Sequence, residues 1–136
     1  MKNRAITYGF ILAALYNIVG ILVFSQFFTN GLLAKHDPMV FSWLGQVSIL
    51  LWGLAYGSVA ANYHKVPYLV AVFALEKAVY VYVWADWLLN NNQLAQLADS
   101  PMTALFFQIY GLGDLIFCLF FAWVFAKLTL KKSAND

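Results

Sequence analysis

Four long runs of apolar residues cover most of the chain, and short polar segments separate them. The runs extend over about residues 6–28, 39–62, 67–89 and 101–127. A helix of about 20 apolar residues crosses the roughly 30 Å hydrocarbon core of a bilayer, and each run reaches that length. The runs are continuously apolar, which favours helices over the alternating strands of a membrane barrel. The pattern predicts an all-α, integral membrane four-transmembrane-helix bundle that forms a single domain.

Polar residues and prolines mark the predicted ends of these spans. Before the second span, Asp37 is expected to be the helix N-cap, with Pro38 in the first turn. Before the fourth span, Ser100 is expected to be the N-cap and Pro101 the first residue of the helix. The segment NNNQLAQLADS joins the third and fourth spans and is predicted to be a solvated loop. The leucines within it predict a short amphipathic turn at the membrane interface.

Composition supports lipid rather than water as the surroundings of the chain. The sequence is 63% hydrophobic and 10% charged, whereas a soluble domain has about 25% charged residues. The net charge of +2 is too small to indicate nucleic acid as a partner. The single cysteine, Cys118, excludes an intrachain disulfide and a dithiol redox motif. The first apolar run is longer than the core of a signal peptide and has Asn17 at its centre, so we expect it to be retained.

Basic residues predict the orientation of the spans. If the spans alternate in direction, only Lys35 lies on one side of the membrane. The residues on the other side are Lys2, Arg4, Lys65, Lys127, Lys131 and Lys132. Because cytoplasmic loops carry the excess of lysine and arginine, both termini are predicted to be cytoplasmic.

Three of the four predicted spans have a strongly polar residue at the centre, namely Asn17, the pair Glu76 and Lys77, and Asp114. A charge at the bilayer centre costs about 2.5–3.5 kcal/mol, so these side chains should face one another inside the bundle. Successive residues diverge by about 100° around a helix, which makes Asp114 a better partner for Lys77 than Glu76. Glu76, Lys77 and Asp114 together have one excess negative charge, so a proton, a cation or water must balance it.

The polar centre and the aromatic residues near it form a candidate site for a small ligand or ion. A mostly aromatic lining suits an apolar or aromatic ligand with one polar group. The candidate residues are Asn17, Gln46, Trp52, Tyr56, Glu76, Lys77, Tyr80, Tyr110 and Asp114, and Phe107 is expected to extend the lining. The alternative is a structural role, in which interhelical polar contacts hold the helices in register. No catalytic or metal-binding motif occurs, and His36 and His64 lie in opposite loops.

Several short motifs resemble a group of small bacterial four-helix membrane proteins. They are LYNIVG in the first span, DPMVFSWLGQ and LWGLAYGSVAAN around the second, the central EK of the third, and GLGDLIF in the fourth. The layout is similar to that of DoxX-like proteins, and the resemblance covers nearly the whole chain. It implies a four-helix fold in the bacterial inner membrane. DoxX-like proteins are associated with redox complexes, but this chain has no evident cofactor ligand, so the cofactor is left unknown.

Three functions agree with this pattern. The first is binding of a small ligand or ion within the bundle, in a monomer or a homodimer. The second is proton- or ion-coupled transport or channel activity, which would need a homo-oligomer because four helices are few and no internal repeat is evident. The third is an accessory or assembly role in a larger membrane complex. Enzyme activity is not expected, because no catalytic motif was found.

Overall fold

The structure is a computed structural model that describes residues 2–133, with side chains described for residues 2–130. Within these residues the chain is helical and contains no strand, which confirms the predicted all-α class. The α-helices are α1 (Arg4–Phe24), α2 (Gly31–His36), α3 (Trp43–Val59), α4 (Pro67–Asn90) and α5 (Pro101–Ser133). Two short 3-10 helices, Tyr63–Lys65 and Leu94–Leu97, lie in the connections on either side of α4.

Three of these helices, α1, α4 and α5, are long and apolar enough to cross a membrane, and α3 is a shorter apolar helix of 17 residues. Much of their apolar surface points outward. In the most apolar 18-residue window of α4, only 17% of the residues are buried. Soluble proteins rarely expose continuous apolar surface on this scale. The helices therefore indicate a membrane protein.

The first span is shorter than predicted, because α1 ends at Phe24 rather than near residue 28. Residues 26–28 have φ angles between 50° and 66°, in the left-handed region that costs a non-glycine residue about 1–2 kcal/mol. Hydrogen bonds compensate for this cost. Ser25 Oγ accepts from the backbone N–H of Phe28 at 2.9 Å, and Asn30 Nδ2 donates to the Phe24 carbonyl at 3.0 Å. The apolar pattern alone could not separate this turn from the helix before it.

The second predicted span, at about residues 39–62, is also shorter in the structure. Asp37 does not cap α3, because Ser42 accepts a hydrogen bond from a backbone N–H of the first turn and is the N-cap. Asp37 Oδ1 instead accepts from the backbone N–H of Val40 at 3.1 Å, in the turn before the helix. The apolar residues between Asp37 and Ser42 lie in this turn, so their hydropathy was wrongly assigned to the helix.

Other boundaries agree with the sequence. Helix α5 begins at Pro101, and the Ser100 carbonyl accepts from the N–H of Ala104 at 2.9 Å. The predicted amphipathic turn is the 3-10 helix Leu94–Leu97, in which Leu97 is buried. Helix α2 was not predicted, because its six residues are too few to produce a helical pattern.

The longer helices pack in two pairs, α1 with α3 and α4 with α5, and α1 also contacts α5. Two apolar clusters fill opposite ends of this assembly. The terminal-end cluster consists of Ile6, Phe10, Ala13, Ala14, Tyr56, Ala60, Tyr63, Val70, Phe73, Phe121 and Val124. The α2-end cluster consists of Ile21, Leu33, Val40, Phe41, Trp87, Leu97, Phe106, Phe107 and Tyr110. Asn17, Glu76, Lys77 and Asp114 lie at mid-length between the two clusters.

Basic residues concentrate at the terminal end. A hydrogen bond of 2.7 Å from the Asn3 N–H to the Tyr63 hydroxyl joins the start of α1 to the connection between α3 and α4. Lys2, Arg4, Lys65 and Lys127 belong to segments at this end, whereas Lys35 is in α2 at the other. Lys131 and Lys132, which also entered the orientation argument, lie outside the residues whose side chains are described.

Gly53 brings the backbones of α1 and α3 close together. A Cβ atom at this position would lie 2.8 Å from Ile18 Cγ1, 3.0 Å from Asn17 Cβ and 3.1 Å from the Ala14 carbonyl oxygen. The absence of a side chain therefore permits the contact beside Asn17. Gly57, one turn later, is exposed, and a Cβ there would make an ordinary 3.6 Å contact with Ala14.

We expect Gly53→Ala to lower the free energy of unfolding by about 1–3 kcal/mol, because the added methyl group forces α1 and α3 apart. Gly57→Ala is the matched control. It should be neutral or stabilising by up to about 1 kcal/mol, since alanine is the better helix former. Unfolding of the purified protein in detergent measures both changes. Equal stability of the two variants would contradict the close contact at Gly53.

Candidate functional site

A buried ion pair joins α4 and α5 at mid-length. Lys77 is 1% exposed, and its Nζ lies 2.6 Å from Asp114 Oδ1. The same Nζ donates to Asn17 Oδ1 at 2.7 Å, and Asn17 Nδ2 donates to the Ile49 carbonyl at 3.1 Å. One ammonium group therefore links α1, α4 and α5, and Asn17 extends the link to α3. The pairing of Lys77 with Asp114 that the sequence predicted is present.

Two tyrosines surround the ammonium group of Lys77. Its Nζ lies 5.5 Å from the ring centroid of Tyr16 and 5.2 Å from that of Tyr56, within the range of a cation–π contact. The Tyr16 hydroxyl also donates to the Tyr110 carbonyl at 2.5 Å. A Cβ atom on Gly113 would overlap the Tyr16 phenol, so this glycine makes room for the ring. These contacts offset part of the several kcal/mol that desolvation of each ion costs.

Glu76 is the charged group of the site that has no ionic partner within the described residues. It is buried, and its Oε2 accepts a hydrogen bond from the Tyr56 hydroxyl. Its other oxygen, Oε1, is buried and has no hydrogen-bond partner in the described part of the chain. Lys77 pairs with Asp114 and not with Glu76. The proton, cation or water that the sequence argument requires for charge balance therefore belongs on the Glu76 side of the site.

A cavity of about 70 Å³ adjoins these polar groups and extends from mid-length towards the α2 end. A water molecule needs about 10–15 Å³ of such space, so the cavity has room for several waters or a small ligand. Ile109 lines the cavity and is also 42% exposed. Six of the predicted site residues line it, namely Asn17, Glu76, Lys77, Tyr80, Tyr110 and Asp114.

Three predicted site residues do not line the cavity. Gln46 is buried and its Nε2 donates to the Phe41 carbonyl at 2.8 Å. Trp52 packs against the terminal-end cluster. Tyr56 contacts the site through its hydrogen bond to Glu76 and through its ring, which lies beside the ammonium group of Lys77. Depth in the membrane was the basis for choosing these residues, but the direction in which each side chain points decides whether it reaches the cavity.

Phe107 also lies away from the cavity wall, because its ring stacks on Trp87 with 4.6 Å between ring centroids. Three other phenylalanines line the cavity instead, namely Phe24, Phe41 and Phe106.

Sequence reasoning missed several residues of the cavity wall. On α1, Asn17, Gly20, Ile21 and Phe24 all line the cavity, and their spacing of three, four and seven residues marks one helix face. This periodicity could have identified the wall once Asn17 was chosen. Phe41 also lines the cavity, but it lies in the turn before α3, where no periodic signal exists.

Hydrogen bonds fix α2 at one end of the assembly. Trp87 Nε1 donates to the His36 carbonyl at 2.8 Å, and His36 Nδ1 lies 2.5 Å from Gln93 Oε1. Next to His36, burial raises the pKa of the Asp37 carboxyl group, and hydrogen bonds from the backbone of Val40 and Met39 oppose this shift. These polar contacts hold the connection between α1 and α3 over the α2-end cluster.

Comparison with known proteins gives no match: no family model, no curated protein and no solved structure is similar to the chain. The resemblance to DoxX-like proteins therefore stays a prediction. Within the described part of the chain, no group of three or more His, Cys, Asp or Glu side chains is arranged to hold a metal ion. The function has to be inferred from the cavity and its polar groups.

We expect Lys77→Met to lower the free energy of unfolding by about 3–5 kcal/mol, because it leaves the Asp114 charge buried without a partner. The double variant Lys77→Met/Asp114→Leu should lose less than the sum of the two single changes, since no unpaired charge remains. Lys127→Met, on the same protein but outside the site, should change stability by about 0.5 kcal/mol or less. Unfolding in detergent measures these three variants and the single variant Asp114→Leu. Additive losses would show that the two side chains do not interact.

Proposed function

We propose that the chain is a four-span integral membrane protein whose helix bundle binds a small ligand or ion in the cavity beside Lys77 and Asp114. The observation that carries this proposal is that the cavity adjoins Glu76, a buried carboxylate with one unsatisfied oxygen. Packed protein interiors contain few voids larger than a water molecule, and buried polar atoms nearly always have partners. A largely apolar cavity beside an unsatisfied carboxyl oxygen supports binding over a purely structural role.

The proposed topology counts α3 as a membrane span in addition to α1, α4 and α5, which gives four spans in total. The 17 residues of α3 rise about 26 Å, at the lower end of the range for a membrane helix. Its close contact with α1 at Gly53 supports a common depth for the two helices. The basic residues at the terminal end support a cytoplasmic location for both termini. The resemblance to DoxX-like proteins adds the bacterial inner membrane.

Packed apolar clusters at both ends of the bundle favour binding over passage. The terminal-end cluster includes Phe10, Phe73 and Phe121, each 0% exposed, and it lies between the cavity and the terminal end. A transport route through the bundle would have to cross this packed cluster. The cavity extends from mid-length towards the α2-end cluster, and the partly exposed Ile109 is part of its wall. We therefore place ligand entry from the lipid, past Ile109.

A substitution at Gly20 tests the proposal, because Gly20 lines the cavity and a Cβ there meets no atom within 4 Å. Gly20→Leu should fill the cavity without a clash and raise stability by about 1 kcal/mol, since leucine replaces glycine in a helix. Gly57→Leu makes the same change outside the cavity and is the matched control.

The measurement is the thermal unfolding of wild type and both variants in detergent. The probes are small amines, alcohols, carboxylic acids and alkali-metal chlorides. At least one probe should stabilise wild type and Gly57→Leu, and the same probe should leave Gly20→Leu unchanged. The proposal is wrong if no probe stabilises wild type, or if Gly20→Leu responds as wild type does.

A further inference from the structure

Two residues of the cavity wall, Glu76 and Tyr110, each have a buried polar atom for which the described residues provide no partner, namely Glu76 Oε1 and the Tyr110 hydroxyl. Two neighbouring tyrosines are already used. Tyr56 donates to the other oxygen of Glu76, and the Tyr16 hydroxyl binds the carbonyl of Tyr110 rather than its phenol. An unsatisfied buried polar group costs about 1–3 kcal/mol, so two on one small cavity indicate where another molecule binds.

The charge of the site determines the sign of the missing partner. The ammonium group of Lys77 is engaged by Asp114 and Asn17 at 2.6 and 2.7 Å. Glu76 therefore has no ion-pair partner among the described residues. Charges attract more strongly in a low-dielectric interior than in water, so a cation is the favoured partner of this carboxylate.

The remaining wall determines what kind of cation fits. Phe24, Phe41 and Phe106 provide aromatic surface, and the cavity offers few free oxygen atoms. Hard metal cations prefer six or more oxygen ligands, which this wall does not supply. An ammonium group needs only a few acceptors, is attracted to aromatic faces, and can be attached to an apolar body.

We infer that the cavity binds a small organic amine in its ammonium form, with Glu76 as its counter-ion and the Tyr110 hydroxyl as a hydrogen-bond acceptor. This inference rests on the proposed function and names its ligand class. The volume of about 70 Å³ is roughly half of the 150 Å³ that holds benzene in a protein cavity. The part of the ligand inside the cavity therefore has about three to five non-hydrogen atoms, and a longer tail leaves past Ile109.

The test compares n-butylammonium chloride with 1-butanol, which has the same shape and no charge, and with sodium chloride at equal ionic strength. Calorimetric titration and thermal unfolding of the full-length protein in detergent measure binding. The ammonium ion should bind about tenfold or more tightly than the alcohol, because a hydrogen bond to a charged group contributes about 1.5–3 kcal/mol. Sodium chloride should not stabilise the protein.

Four variants identify the groups that bind the ammonium ion. Glu76→Gln should weaken its binding about tenfold or more, and Tyr110→Phe about threefold or more. Asp86→Asn and Tyr82→Phe are the matched controls, since they make the same changes on α4 outside the cavity, and both should bind as wild type does. If Glu76→Gln does not fold, Tyr110→Phe and the comparison with butanol still decide the result.

The outcomes separate this inference from the proposed function. Equal binding of butanol and n-butylammonium would overturn the ammonium inference, and the cavity would remain a binding site for apolar molecules. Binding of n-butylammonium that Gly20→Leu leaves intact would place the ligand elsewhere and overturn the inference. If neither compound binds wild type, the inference is wrong, and the wider set of probes decides the proposed function independently.

Discussion

The buried ion pair between Lys77 and Asp114 is the interaction on which the arrangement of the helices depends. Two charges in an apolar interior are tolerated only if they meet, and they meet here at 2.6 Å in one register of α4 against α5. Asn17 accepts from the same ammonium group and so fixes α1 as well. The glycines nearby serve this contact, because Gly53 lets α3 approach at Asn17 and Gly113 makes room for an aromatic ring beside Asp114.

This arrangement separates two roles that one polar centre could combine. Lys77, Asp114 and Asn17 satisfy one another and hold the helices together. Glu76 and Tyr110 line the same cavity but retain unsatisfied polar atoms among the described residues. The structural and the binding hypotheses therefore apply to different residues of one site. The ion pair fixes the helices around the cavity, and the unsatisfied carboxyl oxygen of Glu76 is the basis for the proposed binding of a cation.

The sequence predicted the features that depend on position along a helix. Hydropathy identified the helical class and the apolar helices. The position of Lys77 and Asp114 at the centres of their spans was sufficient to predict that they pair. The sequence could not predict features that depend on rotation about a helix axis, so Gln46 and Trp52 were included although they do not line the cavity. It also could not recognise turns made of apolar residues, which is why the predicted first and second spans extend beyond α1 and α3. The left-handed turn at residues 26–28 has no glycine to signal it.

The central claim is that Lys77 and Asp114 face inward at mid-length and contact each other within the membrane. Solid-state NMR of the protein in lipid bilayers, with ¹⁵N-labelled lysine and ¹³C-labelled aspartate, measures this most directly. The account predicts strong dipolar coupling between Lys77 Nζ and the Asp114 carboxyl carbon, and slow exchange of the Lys77 amine protons with water. Absence of the coupling, or rapid exchange of those protons, would contradict it.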